Sequence, residues 1–379
     1  MSVLYALERV PVNSVVLLKN RREALSYPRG DIALGFCSAC GFIANTAFDA
    51  GLLEYSARYE ATQSFSPTFS AFAHQLAIHL IERYDLHDKE ILEIGCGQGE
   101  FLTLLCEMGG NRGVGFDPAY VASRSHSEAR ERLTFVSDFY SERYQDVRAD
   151  FVCCRMTLEH IHKTADFVGM VRRSLGNRNE VVVFFQVPDV LRVLRELAFW
   201  DIYYEHCSYF SLGSLARLFR KCGFDVLDLW QAYGDQYLMI EARPSDRPNR
   251  PALAQEEPPA RLAEEVQSFA RQVPTRLQVW RDYLHRTRQK GRRVVLWGGG
   301  SKAVAFLTTL GLEDAIEYVV DINPHKHGTF LPGTGQEVVP PVCLRQHQPD
   351  IVLAMNPLYC DEIQQALNDM GVEAELHAV

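Results

Sequence analysis

Residues 91–99 read ILEIGCGQG. Ile91, Leu92 and Ile94 surround Glu93 in a short apolar run, which enters a turn with glycine at 95, 97 and 99. Behind the turn, Phe101, Leu102, Leu104 and Leu105 fall at helical spacing. Glycines at alternate positions let a backbone adopt positive φ without Cβ strain and come close to a ligand. The helix that follows presents unpaired N–H groups at its first residues. The pattern predicts a strand–turn–helix unit of an α/β sheet, with a nucleotide-type ligand at the end of its first strand.

Spacing narrows the ligand. A dinucleotide fingerprint runs G-x-G-x-x-G, whereas this turn runs G-x-G-x-G, with Glu93 two residues before the first glycine. GVGFDP at 113–118 reads as a second strand ending in Asp117, and an acid at that place can accept both hydroxyls of a ribose. Glu93, Gly95, Gly97, Gly99 and Asp117 together resemble motif I and the acidic loop of class I S-adenosylmethionine methyltransferases. The resemblance implies S-adenosylmethionine as cofactor and these five residues as part of its site. Asp138, closing the run TFVSD, fits the adenine amino contact in such a site; otherwise it is a surface aspartate ending a strand.

At 379 residues the chain should form two or three domains. A formal net charge of −9 argues against a nucleic-acid partner. No stretch approaches the roughly 18 apolar residues of a membrane helix, and MSVLYALERVPVNS lacks the basic and apolar regions of a secretory signal. The ten cysteines are scattered, several in apolar runs, and read as buried free thiols in a reducing compartment. A cytoplasmic enzyme is expected.

Residues 1–58 read as a short irregular leader with β-like runs VNSVVLL and DIALGFC, followed by Cys37 and Cys40. Residues 59–242 read as the cofactor-binding domain. Ser66-Pro67 opens a helix as N-cap and first helical residue. Strands are expected at 90–94, 113–117, 133–136, 150–154, 180–187, 224–230 and 236–242, the last two antiparallel. Residues 243–260 carry five prolines and read as a linker. In 261–379, Leu262, Val266, Phe269, Val273, Leu277, Trp280 and Leu284 mark one long amphipathic helix, with a kink expected near Pro274. Then RRVVLWGGGSKAVAFL, YVVDINPHK and DIVLAMNP form a second α/β unit. Its Gly298-Gly299-Gly300 turn could hold a nucleotide, or the unit could be structural or dimer-forming. The fold class is α/β: a class I methyltransferase Rossmann-like sheet plus a second, smaller Rossmann-like domain and the leader.

Three segments resemble one narrower family, the three-domain sugar C-methyltransferases that act on nucleotide-linked keto-deoxysugars. They are the leader with its CxxC pair, the segment Tyr203-Tyr204-Glu205-His206-Cys207-Ser208-Tyr209-Phe210-Ser211, and the terminal unit with GGGSKA and VVDINPHKHGTFLPGT. The resemblance implies C-methylation next to a ketone of a nucleotide-activated deoxysugar. His206 is then the base, with Glu205 and Tyr203 orienting groups or stabilising the enolate. Tyr203 also reads as a core aromatic. His160, in RMTLEHI, is implied to touch acceptor or enolate, with His162 turned away. Tyr59 resembles the family's tyrosine-rich segment that closes over the reacting groups. Tyr204 replaces the family's first histidine of this segment, a change expected to alter the acceptor pocket.

Two other functions stay open: an O- or N-methyltransferase of a small metabolite on the same frame, and a non-catalytic nucleotide-sugar-binding protein. The expected partner is a small-molecule acceptor, by the resemblance a nucleotide-linked keto-sugar, with neither nucleic acid nor membrane; the chain is expected to act as a monomer or homodimer. The family leader carries two CxxC pairs, enough for tetrahedral zinc. Here Cys37 and Cys40 form a lone pair and residues 1–36 contain no Cys or His, so no metal is expected. Purified protein should therefore carry no stoichiometric zinc. Elemental analysis returning close to one zinc per chain would show that two further ligands exist.

Overall fold

Ser66 and Pro67 start the helix that delivers the chain to the central sheet. The Ser66 side chain accepts from the Phe69 N–H at 3.2 Å, and Pro67 occupies the first turn, where no backbone N–H is needed. The computed structural model describes residues 1–124, 127–248, 250–312 and 315–379. Its first part comprises β1 (Ser2–Pro11), α1 (Arg21–Leu25), β2 (Arg29–Phe36), β3 (Ile43–Asn45) and α2 (Pro67–Tyr84).

The central part runs β4 (Glu90–Ile94), α3 (Glu100–Gly109), β5 (Arg112–Phe116), β6 (Leu133–Val136), β7 (Phe151–Arg155), α4 (Thr164–Leu175) and β8 (Val182–Pro188). It continues through α5 (Val190–Glu196), β9 (Ser208–Tyr209), α6 (Leu212–Lys221), β10 (Phe224–Ala232) and β11 (Tyr237–Pro244). Seven of these strands form one sheet in the order β10-β11-β8-β7-β4-β5-β6, with β11 antiparallel to both neighbours. All seven expected strands appear within two residues of their expected bounds. One face packs on Leu76, Leu80, Leu102 and Leu105 of α2 and α3. The other packs on Val168, Val171, Leu215 and Phe219 of α4 and α6. Both faces being covered explains why the inner strands are apolar throughout rather than alternating.

The last part runs α7 (Pro259–Gln289), β12 (Val294–Trp297), α8 (Ser301–Leu310), β13 (Tyr318–Val320), β14 (Glu337–Val339), α9 (Leu344–His347), β15 (Ile351–Ala354), α10 (Cys360–Met370) and β16 (Glu375–Ala378). Its five strands form a parallel sheet ordered β14-β13-β12-β15-β16. Helix α7 runs unbroken through Pro274. Among the described residues no helix is long and apolar enough to cross a membrane.

The leader departs from the expectation of irregular structure. Strands β1, β2 and β3 form an antiparallel sheet, and β9 completes it from residues 208–209. DIALGFC falls largely in β2, but VNSVVLL makes no strand; its apolar residues are buried instead. Val12, Val16 and Leu18 join Phe269 of α7 and Val304 of α8 in one apolar core. The stretch 243–260 is likewise tied down. Glu257 accepts from the Gly213 N–H at 3.0 Å, and Glu256 pairs with Arg220 at 2.6 Å; Asn249 lies outside the described residues.

The turn between β4 and α3 uses its glycines differently. At Gly95 (φ +71°) a Cβ would lie 2.0 Å from the Thr157 hydroxyl, and at Gly99 (φ +84°) 2.4 Å from the Phe135 ring. At Gly97 (φ +57°) nothing lies within 4 Å. An alanine at either Gly97 or Gly99 bears a left-handed backbone cost of about 1–2 kcal/mol. Gly99→Ala also forces Phe135 aside, adding about 1–3 kcal/mol. Thermal unfolding should therefore place Gly99→Ala several degrees below Gly97→Ala; equal melting temperatures would refute this division.

Candidate active site

The carboxyl ends of β4, β5, β7 and β8 open on a cavity of about 1470 Å³. That exceeds the roughly 300–1,000 Å³ common for one small ligand. Its wall on the glycine-turn side includes Glu93, Gly95, Gly97, Asp117 and Asp138. Gly99 is not part of that wall; it is fixed under Phe135 instead.

Asp117 holds the turn in shape. Its Oδ2 accepts from the Gly97 N–H at 2.9 Å and its Oδ1 from the Ala119 N–H at 2.7 Å. Glu93 is buried, accepts from the Leu102 N–H at 3.0 Å, and is pushed up to about 8 by loss of solvation. Asp138 accepts from the Tyr144 hydroxyl at 2.6 Å and pairs with Arg143. The Tyr144 bond is the first cause holding its carboxyl below the usual range.

The opposite region of the cavity gathers Tyr59, His160, Tyr203 and His206. The Tyr203 hydroxyl lies 3.1 Å from His206 Nε2, and the His160 and His206 rings meet edge to face at 4.8 Å. The Tyr55 hydroxyl lies 3.0 Å from His160 Nδ1. Burial lowers His160 to about 4, partly opposed by a hydrogen bond to the Glu205 backbone. Burial also lowers His206 well below the ordinary imidazole value, helped by His160 and the Lys302 charge. Both rings are therefore neutral at physiological pH.

Glu205 does not reach the cavity wall. Its carboxylate turns to the leader, accepting from the Tyr59 hydroxyl at 2.9 Å, the Ser14 N–H at 3.0 Å and the Ser14 hydroxyl. It orients Tyr59 from behind. Tyr204 also points away: its hydroxyl accepts from the Asp49 N–H at 2.8 Å, and its ring lies against Gly30. The histidine-to-tyrosine change thus touches the leader and not the acceptor wall, contrary to the expectation above. His162, expected to turn away, reaches the cavity beside Phe48, with ring centroids 5.7 Å apart.

Sequence reasoning passed over Glu159, Tyr55 and Lys302. Glu159 is 1 % exposed on the cavity wall, next to His160 in the chain. An acid directly before His160, just past the apolar strand FVCC, was its available signal. Lys302 donates to Asp201 at 3.1 Å and to Gln236 at 3.1 Å; its partners are remote in sequence and left no local signal. Glu159, His160 and His206 offer possible metal ligand atoms within 4.8 Å of one another. Ligands around tetrahedral zinc stand closer, at roughly 3.3 Å for bonds of about 2.0 Å, and tyrosine hydroxyls already face His160 Nδ1 and His206 Nε2. The group reads as an acid–base cluster. Cys37 and Cys40 are free thiols.

From the far side, Gly298, Gly300, Lys302 and Lys326 of the last α/β unit line the same cavity. That unit repeats the glycine–acid device: the Gly299 N–H donates to Asp321 Oδ2 at 2.8 Å.

Residues 69–229 match the family described as methyltransferase domain, and residues 241–374 match the C-methyltransferase C-terminal domain. The chain is 30% identical over 305 residues to C-methyltransferase NovU of Streptomyces niveus, covering 75% of this chain and 70% of that protein. Among solved structures it is similar to 1,6-didemethyltoxoflavin-N1-methyltransferase of Burkholderia thailandensis with bound S-adenosylhomocysteine (17% identity, TM-score 0.34, 48% of this chain and 84% of that one). It is also similar to magnesium protoporphyrin IX methyltransferase of Synechocystis PCC 6803 (15% identity, TM-score 0.36, 47% and 84%). The paired domain matches and the relative that spans most of the chain lead to one conclusion: this chain belongs to the S-adenosylmethionine-dependent C-methyltransferases.

Proposed function

We propose that the enzyme methylates a carbon next to a ketone on a nucleotide-activated deoxysugar, with His206 as base. One observation carries this reading: a neutral, buried imidazole at the wall of a cavity lined by two glycine turns. Oxygen and nitrogen acceptors have a lone pair to offer. A carbon acceptor must first lose a proton, which calls for a positioned base.

The residues present fit the cofactor. The open space beside Gly97 is the approach a ligand needs, and a Cβ there would project into it. Gly95 and Gly97, with Asp117 at the strand end, would hold the nucleoside part, and Asp138 the adenine. Bound S-adenosylmethionine supplies an electrophilic methyl group on a sulfonium.

His206 takes the proton from the acceptor carbon, and the electron pair left behind is delocalised onto the ketone oxygen. Tyr203, within hydrogen-bond reach of His206, orients the ring or steadies that oxygen. Each ring has one nitrogen facing a tyrosine hydroxyl, but His160 is less suited as base because its ring also bonds the Glu205 backbone. Tyr59, held by Glu205, shapes the wall beside the acceptor. The far wall offers the second glycine turn beside Lys302 and Lys326, each paired with an acid, as the place for a nucleotide diphosphate. The leading alternative, an O- or N-methyltransferase, would also release a proton, but its acceptor already has a lone pair and does not have to ionise before the transfer.

A panel of nucleotide-linked keto-sugars, incubated with methyl-labelled cofactor, tests the substrate class. The label should appear on carbon next to the ketone; label on oxygen or nitrogen would replace this reading with the alternative. His206→Ala should lose about 10²–10⁴-fold in turnover and stop exchanging the acceptor's α-hydrogen in heavy water, while binding S-adenosylhomocysteine like the wild type. Gly97→Ala should do the reverse in calorimetry, remaining folded but binding S-adenosylhomocysteine more weakly. Wild-type turnover and exchange in His206→Ala would move the base elsewhere, with His160 and Tyr203 next.

A further inference from the structure

Buried carboxylates near the cavity have partners. Glu205 is bonded by Ser14 and Tyr59, Glu60 pairs with Arg124 at 2.7 Å, and Asp189 accepts from the Leu191 N–H at 2.8 Å. Glu159 departs from this. Among the described residues it is the buried carboxylate whose two oxygens both lack a hydrogen-bond partner in any other residue, its own backbone N–H giving the carboxyl partial support. It is 1 % exposed and lies on the cavity wall. Leaving a buried acid unpaired costs several kcal/mol if it is ionised, and a packed apolar residue would fit the site without that cost. One neighbour gives the carboxylate a use: its Oε1 stands 4.0 Å from His206 Nε2.

We propose that Glu159 is the counter-charge of the His206 base, placed to hold the imidazolium that forms when His206 takes the acceptor's proton. The inference rests on the reading of His206 as base. In that step the acceptor C–H bond breaks, its electron pair stays on the acceptor as an enolate, and an N–H bond forms on the ring. The enolate carbon then takes the methyl group from the sulfonium, the S–CH3 electron pair staying on sulfur as a neutral thioether, and the ring returns its proton to solvent. The ring carries a full charge during this sequence, in a place where burial, His160 and Lys302 all oppose it. Glu205 is turned to the leader and cannot supply the missing charge without giving up Ser14 and Tyr59. Glu159 acts through His206 and is a positioning residue in this scheme.

The titratable groups facing the pair come from four directions. Cys154 lies on β7, and His160 follows Glu159 in the chain. Tyr203, Cys207 and Tyr209 surround His206, the Tyr209 ring edge to face with it at 6.4 Å and the Cys207 thiol donating to the Glu159 carbonyl at 3.6 Å. Tyr55 approaches from the segment before α2, and the Lys302 charge from α8. The two thiols and three phenols are held neutral by burial, their pKa values raised; Lys302 is paired with Asp201 at 3.1 Å, yet its charge still opposes a proton on His206. Burial pushes Glu159 itself up to about 8. A raised carboxyl is protonated below that pH and charged above it, so its support for His206 grows as pH rises through about 8.

Two measurements test this. In enzyme loaded with S-adenosylhomocysteine, with His206 assigned by its missing signals in His206→Gln, the ring nitrogen shifts should bend near pH 8, the Glu159 value. Glu159→Gln should abolish the bend. With a keto-sugar methylated in the panel above, Glu159→Gln should lower kcat about tenfold, the effect of one pKa unit on the base. KM and S-adenosylhomocysteine affinity should not change. The rise of kcat across pH 8 should flatten in Glu159→Gln and survive in part in Glu159→Asp. A wild-type ring that ignores the Glu159 ionisation overturns the proposal, as does Glu159→Gln with wild-type kcat and pH profile. The NMR titration uses no acceptor, so its failure is separate from failure of the keto-sugar reading, which shows as absence of methyl incorporation across the panel.

Discussion

The buried carboxylate of Glu205 is the point at which the parts of the molecule meet. It accepts hydrogen bonds from Ser14 of the leader and from Tyr59 of the segment before α2. The Ser14 hydroxyl is also 2.7 Å from that of Ser301, the first residue of α8. One acid thus joins the leader, the segment over the cavity, the stretch 203–206 and the last α/β unit. Ionised and unpaired, it would cost several kcal/mol in such a place; with convergent donors it demands that all four parts arrive together. His206 and Tyr203 lie next to it in the chain, so their placement follows from that assembly.

The two α/β units solve the same local problem twice. Each ends its first strand in a glycine turn, and each uses an acid at the end of the adjacent strand to accept a turn N–H: Gly97 to Asp117 at 2.9 Å and Gly299 to Asp321 at 2.8 Å. An acid gripping backbone amides fixes a turn whose glycines would otherwise be mobile. Both turns border one cavity. In the second unit Lys326 also donates to Asp321, at 3.2 Å, which partly neutralises the acid; Asp117 instead accepts from the amides of Gly97 and Ala119.

Local patterns made the sheets legible. The seven strands of the central sheet, the Ser66-Pro67 helix start and the long amphipathic helix announce themselves within windows of a few residues, because period and capping are local properties. The leader was harder, since β9 is two residues long and lies far down the chain from β3, with which it pairs. VNSVVLL looked like a strand because its apolar residues are dense; tertiary burial against α7 and α8 took them instead. At the site, motif residues could be placed by resemblance, but what each one touches could not. Glu205 facing the leader, Tyr204 bonded to Asp49 and Glu159 beside His206 all depend on contacts between distant segments.

The leader's packing bears on its lone CxxC pair. A small subdomain without a sufficient apolar core needs a metal or disulfide to stay folded. This leader has no separate core: Val12, Leu18, Ile32 and Leu34 are buried with Phe269, Val304 and Leu331. Its sheet is completed by β9, and the Leu18 carbonyl accepts from the Phe330 N–H at 2.9 Å. The burial that a metal would otherwise have to replace is provided by α7 and the last α/β unit. The leader's fold is therefore coupled to the rest of the chain, and Tyr204 belongs to that coupling: its ring is wedged at Gly30 and its hydroxyl fixed on Asp49. A histidine there would be too small to bridge both contacts, which gives the tyrosine a reason in leader packing rather than in acceptor choice.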